Sequence, residues 1–239
     1  MTDWLDVTRA CADIRKFNAD STYRASDWMV GQAFAAYEAL PEGQAVCAMM
    51  LVDSLWNTSL LRFNPEDFDA LFEVYEQHRA LYAQTLVRIY PLTLEREPDR
   101  VWEHAATMLR PLLESDRTEK RHYSFATKLL HWHAPEHLPI MDSFARKGIH
   151  SMQKECGQTE CLIRSDVPVG SEVEEYRDWV RFYGWLLSRL THEERKRLKE
   201  EDADSLPKPL HRDNTLLRIL DKVFYIRGRP KRGTRTADE

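Results

Sequence analysis

The chain has 239 residues, 43% of them hydrophobic and 31% charged, and its 34 Lys and Arg against 39 Asp and Glu leave a formal net charge of −5. That length and apolar content support a buried core and exclude a disordered chain. The acidic balance excludes a protein that coats nucleic acid through overall positive charge, while leaving a local basic face open.

Taken in chain order, the first predicted helix covers 27–40, with Asp27 as its cap and Pro41 and Gly43 ending it. Residues 44–62 make a long apolar segment around a polar island of Asp53, Ser54, Asn57, Thr58 and Ser59. Asn64 followed by Pro65 is a helix start signal, and another helix is predicted over 99–114 with Asp99 as cap. A helix over about 124–133, a loop over 134–141 and a new helix from about Asp142 come next. Residues 155–175, with "SDVPVG", read as an irregular insertion. Helices through "YRDWVRFYGWLLSRL" and "NTLLRILDKVFYI" follow, and the charge-dense "HEERKRLKEEDAD" between them reads as a solvated face or loop. The tail from Arg227 carries Arg229, Lys231, Arg232 and Arg235 among Gly and Pro, and it is expected to be disordered. No repeat and no period-two strand pattern is present, so the expected class is all-α, with one domain over 1–226 and a basic tail over 227–239.

Cys11, Cys47, Cys156 and Cys161 form no disulfide framework at this length, and Cys156 and Cys161 lack a second ligand pair for zinc. There is no signal-like apolar start and no apolar run of about 18 residues. The expectation is a cytoplasmic monomer with reduced thiols, no membrane partner, no metal and no cofactor.

The stretch "SFATKLLHWHAPEHLPIMDSF", residues 124–144, carries the chemistry. Lys128 opens an apolar helical run, where the positive end of the helix dipole favours the neutral amine. Pro135 and Pro139 force an extended connection, and Asp142 then stands where an N-cap belongs. Taken alone, this spacing also describes an exposed lysine and a capping aspartate.

"YSFATKLLHWHAPEHLPIMDSFAR" resembles the helix-hairpin-helix DNA glycosylase superfamily, which includes endonuclease III and 8-oxoguanine glycosylase. Ser124, Phe125, Ala126 and Thr127 stand where that family's hairpin has Gly-Val-Gly-x. Lys128 then falls on the family's nucleophilic lysine and Asp142 on its catalytic aspartate. "VDSLWNTSL" is similar to the polar-centred helix that reaches the DNA, which places Asn57 and Thr58 in the interface. The match covers about residues 45–150. The chain departs from the family in lacking both hairpin glycines and the four-cysteine iron–sulfur loop, and its Lys-to-Asp spacing is shorter.

The resemblance implies a two-lobed helical fold and excision of a damaged or modified base from double-stranded DNA. The carboxylate would stabilise positive charge on the deoxyribose. The lysine would attack the sugar carbon, with lyase activity as a consequence, or else would contact DNA. An extruded base needs aromatic contacts, for which Trp56, Tyr123, Trp132 and Phe144 are the candidates, with His131 and His133 beside them. Ser124, Arg121, Arg146 and Lys147 are the expected backbone contacts in a locally basic window. Damaged purine is the family default, and a bulkier modified base of phage DNA, with a role in antiviral defence, is the variant expectation. The alternatives are a non-catalytic all-α DNA-binding or partner-binding module, and metal hydrolysis through His131, His133, His137 and Glu136. The histidine spacing, broken by Pro135, argues against the metal.

Overall fold

The computed structural model describes residues 4–35, 42–56, 58, 60–114, 122–157, 160–166, 168, 170–210 and 213–230. Among these the chain is all-helical and contains no strand. The helices are α1 (Val7–Ala19), α2 (Ser21–Ala35), α3 (Glu42–Leu55), α4 (Leu60–Phe63), α5 (Pro65–Gln77) and α6 (Arg79–Ile89), followed by α7 (Pro98–Leu113), α8 (Tyr123–His133), α9 (Ser143–Cys156), α10 (Glu172–Arg189), α11 (His192–Asp204) and α12 (Leu216–Gly228). One connected set of buried apolar side chains runs from Leu5 to Phe224. α12 lies against α9, α1 and α11, α10 lies against α7, and α8 lies against α2, α3 and α7. α2 links the two groups by touching α1 as well as α3 and α8.

Local chemistry explains the boundaries. Asp6 caps α1 by accepting from the Arg9 amide, and Val7, Ala10, Cys11, Ile14 and Phe17 form its buried stripe. Sequence reasoning passed over this helix because polar residues separate its apolar positions. α9 begins at Asp142 and ends at Gly157, whose φ of 62° lies in the left-handed region that suits glycine. α11 is almost wholly solvated, yet it is a helix: Thr191 and Glu194 form a reciprocal capping box, and only Leu198 and Asp202 turn inward.

Several expected boundaries move. Asp27 does not cap a helix. It sits inside α2, buried, and binds Arg218. Asp99 is in the first turn of α7, with Glu97 at the cap, and pairs with Arg181 at 2.6 Å. Ser124–Thr127 already belong to α8 rather than to a hairpin, and any hairpin ahead of them would fall on 115–121, outside the described residues. The irregular insertion is shorter than expected, since α9 takes Cys156 and α10 starts at Glu172. α12 continues through Gly228, so Arg227 is helical and pairs with Asp13 at 2.8 Å; residues 231–239 lie outside the described residues.

The contact that positions everything else is the crossing of α9 on α12. A Cβ on Gly148 would lie 2.0 Å from the Phe224 carbonyl oxygen, and one on Gly228 would lie 1.8 Å from that of Phe144. The two backbones therefore touch, which only glycine permits. Gly148→Ala is expected to destabilise the protein by roughly 1–3 kcal/mol or more through forced separation of the helices. A urea melt would show it as a lowered midpoint, whereas Val87→Thr on the exposed face of α6 should leave the midpoint nearly unmoved.

Candidate active site

Lys128 and Asp142 meet. Nζ of Lys128 lies 3.1 Å from Oδ2 of Asp142 and donates to the Trp56 carbonyl at 2.9 Å. The other carboxylate oxygen, Oδ1, accepts from the Phe144 amide at 2.8 Å and more loosely from that of Ala145 at 3.4 Å. Both side chains are buried, at 6% and 8% exposure. The pair thus lies between the carbonyl end of α3 and the amide end of α9, with each charge at the helix terminus that favours it. Both simple readings of these residues hold in part: Asp142 is an N-cap, but Lys128 is not exposed.

Two cavities share this pair. The inner one holds about 50 Å³, enough for a few waters. Phe17, Tyr23, Trp56 and Tyr225 supply its aromatic walls, with Arg218 and Asp221 from α12. The outer one holds about 340 Å³ and is lined by Thr58, His122, Tyr123, Ser124, Ser143 and Phe144. Trp56, Lys128, Asp142 and Tyr225 line both. The outer cavity also gathers the first residues of α8 and of α9. The His122 side chain does not cap α8, so uncapped amides of that helix end face it, whereas Asp142 takes those of Phe144 and Ala145 at the head of α9.

The predicted contacts divide. Trp56, Thr58, Tyr123, Phe144 and Ser124 do line the cavities. Lys147 is exposed beside the Phe144 ring. Asn57 and Arg121 lie outside the described residues. Trp132, His131, His133 and Arg146 do not reach either cavity. Trp132 is buried edge-on to Trp56 and stacked near Phe34. His131 Nδ1 is 2.7 Å from the Leu138 carbonyl, tying α8 to the following loop. His133 bonds Tyr75 at 2.9 Å and sits against the Phe34 ring, and burial lowers its pKa to about 4. Arg146 is buried in an ion pair with Glu175 at 2.6 Å and lies over Trp179, so its charge is already neutralised and is not presented to a backbone phosphate. Apolar helix faces took these residues because each had a partner waiting in the core. No group of three or more metal-ligating side chains occurs among the described residues, and no helix of theirs is long and apolar enough to cross a membrane.

Sequence reasoning missed the charged core behind the pair. Arg218 is clamped between the Trp56 ring, 4.3 Å away, and the Phe17 ring, 5.1 Å away. Its Nε donates to Asp27 at 2.7 Å and its Nη1 to Asp221. Lys222 donates to Asp202 at 2.7 Å and to Asn18 at 3.2 Å, and lies 3.5 Å from Asp27. The signal was present: Arg218, Asp221, Lys222 and Tyr225 occupy i, i+3, i+4 and i+7, a charged stripe on the face of α12 that should be apolar. Arg229 lies over the rings of Tyr23 and Tyr225, both of which line the inner cavity.

Comparison of the chain with protein-family models, with curated proteins and with solved structures finds no match.

Two outcomes are expected. Lys222→Met leaves Asp202 buried without its cation, with Asp27 still held by Arg218, and should cost about 3–5 kcal/mol, measurable by chemical denaturation. For His133 the folded pKa lies below the unfolded value, so the unfolded chain binds the extra proton. Stability is then complete above about pH 6.5 and declines as pH falls toward 4. His133→Phe should weaken that part of the acid sensitivity in melts taken between those values.

Proposed function

We propose that the protein is a DNA glycosylase of helix-hairpin-helix type, with a two-lobed arrangement around the cavities described above. It would act as a monomer on double-stranded DNA bearing a damaged or modified base. The observation that carries this reading is a buried lysine–aspartate pair shared by an aromatic-walled inner cavity and an open outer one. An extruded base would enter the inner cavity between Trp56, Phe17 and Tyr225, and the deoxyribose would lie over Lys128 and Asp142. The backbone phosphates would follow the amide ends of α8 and α9, with Lys147 and Arg229 beside them. As it stands the inner cavity is too small for a base, so the Tyr225 ring would have to turn aside on binding while Arg218 holds Trp56 in place. That demand suits an enzyme that rejects undamaged DNA by the cost of opening, about a few kcal/mol for base extrusion alone.

The pair has the chemistry for the step. Asp142 faces the sugar carbon with one oxygen anchored by amides, so its charge is preorganised to stabilise an oxocarbenium-like centre. Lys128, once released from Asp142 and deprotonated, can add to C1′ and give a Schiff base, making the enzyme bifunctional. If it keeps its ammonium, it serves as a sugar or phosphate contact and the enzyme is monofunctional. A bulkier modified base of phage DNA, in a defence role, is the variant substrate, its added group extending from the inner cavity toward the outer one. One observation favours the second reading, a non-catalytic DNA-binding module: every polar contact of the pair doubles as a structural bond between α3, α8 and α9.

Incubation with abasic duplex and with duplexes carrying oxidised, deaminated, N-alkylated or glucosylated bases separates these readings. Base release is expected from at least one duplex, with a loss of about 10²-fold or more in Asp142→Asn and no loss of folding by circular dichroism. Borohydride should trap an adduct with the wild type and none with Lys128→Ala. Duplex binding without release on any member would favour the binding module.

A further inference from the structure

The inner cavity has one wall that the reaction above leaves idle. Asp221, buried on α12, lines it together with Arg218 and Tyr225. Its Oδ2 accepts from Arg218, while its Oδ1 makes no hydrogen bond within the protein. Among the described residues, no other residue lining this cavity has a buried polar side-chain atom left unbonded. A carboxyl oxygen that lines a cavity and that no protein donor claims is available to a group bound there.

We propose that Asp221 is the general acid of the pocket, donating a proton from Oδ1 to an acceptor on the extruded base as its glycosidic bond breaks. This assignment rests on the glycosylase reading and deepens it. The charge arrangement independently favours a proton on Asp221. Behind the cavity, Arg218 and Lys222 face three carboxyl groups, Asp27, Asp202 and Asp221, while Lys128 and Asp142 balance each other. The buried cluster is one positive charge short, and a proton on one carboxyl restores neutrality. Asp27 and Asp202 each receive two or more donors in this cluster, from Arg218, Lys222, Asn18 and Asn214, whereas Asp221 receives Arg218 alone. The charged and titratable groups facing Asp221 are Arg218 and Lys222 on α12, Asp27 on α2, Lys128 on α8, Asp142 at the head of α9 and Tyr183 on α10. Burial pushes its carboxyl up to about 7, opposed by Arg218 and Lys128 and assisted by Asp142 and Asp27. Two carboxyl groups in one pocket thus have opposite surroundings, Asp142 held by a lysine and two amides, Asp221 desolvated, which is the arrangement that separates an acid from a base.

The step balances. The C1′–N bond breaks with its electron pair passing to the base nitrogen, and the Asp221 proton moves to the base, which leaves neutral. Asp221 becomes a carboxylate held by Arg218. Water adds to C1′ and gives its proton to Asp142 and then to solvent, and Asp221 regains a proton from solvent. An acid placed here serves a neutral base that would otherwise depart as an anion. It is of little use to a cationic N-alkylated base, so the expected substrates are neutral oxidised, deaminated or substituted bases.

Single-turnover release, followed from pH 5.5 to 9 on the neutral-base duplex that the wild type cleaves fastest and on a 7-methylguanine duplex, decides the matter. On the neutral base the wild-type rate should hold below pH 7 and fall by about tenfold per unit above it. Asp221→Asn should lower that rate by about 10²–10⁴-fold and flatten the profile, with a loss at least about tenfold smaller on 7-methylguanine. A wild-type profile that is flat through pH 7 overturns the assignment without recourse to any variant. Equal losses on both duplexes overturn it too, by showing that Asp221 only supports the fold. If Asp221→Asn retains full activity while Asp142→Asn has none, the glycosylase reading stands and the acid is wrong. If the wild type releases no base from any duplex, both fall together.

Discussion

The crossing of α9 on α12 is the constraint on which the site depends. Gly148 and Gly228 bring the two backbones into contact, and no side chain can be placed between them. Asp142 is the first fixed point of α9, while Arg218, Asp221 and Tyr225 lie along α12. A shift of a few tenths of an ångström at the crossing would therefore move the carboxylate relative to the wall of the inner cavity. Rigid helices fix this geometry better than loops, and the proposed chemistry would require positioning within about 0.5 Å.

Around that crossing the protein has buried an unusual amount of charge. Arg218, Lys222, Asp27 and Asp202 are all nearly inaccessible and are joined by direct hydrogen bonds. Such pairs gain little net stability over apolar packing of the same shape, since desolvation offsets most of the attraction. Their value lies in what they hold. Arg218 is stacked between Trp56 and Phe17, so a ring that faces the cavity is fixed from behind by a cation that is itself fixed by Asp27. The Trp56 carbonyl in turn receives Lys128. One network thus connects α1, α2, α3, α8 and α12 to the Lys128–Asp142 pair.

The expected base contacts that lie away from both cavities share one cause. Trp132, His131 and His133 follow Lys128 within five residues, and nearness in sequence suggested nearness to the chemistry. A helix turns by about 100° per residue, so neighbours in sequence face different directions. His131, Trp132 and His133 turn toward Leu138, Phe34 and Tyr75, and ring nitrogens of the two histidines tie elements together. Arg146 met the same fate one turn after Asp142, where Glu175 claims it. The residues that do wall the inner cavity come mostly from α1, α2 and α12, far from the stretch that drew attention.

By itself the sequence determined the helical class, the start of α5 at Pro65, the break after His133 and the capping of α9 by Asp142. Each of these is local, written in residues within one turn of one another: a cap, a proline, an apolar period. Lys128 and Asp142 stood together only through the resemblance, since their spacing alone also described an exposed lysine and a capping aspartate. Only the tertiary structure decided that the pair is buried, that two cavities meet on it, and that α12 supplies Arg218 and Asp221 opposite. Those facts join residues up to 191 positions apart, as Arg218 and Asp27 are. Contacts at that separation are set by how helices pack, through the glycine crossing and the balance of buried charge, and neither has a local period to read.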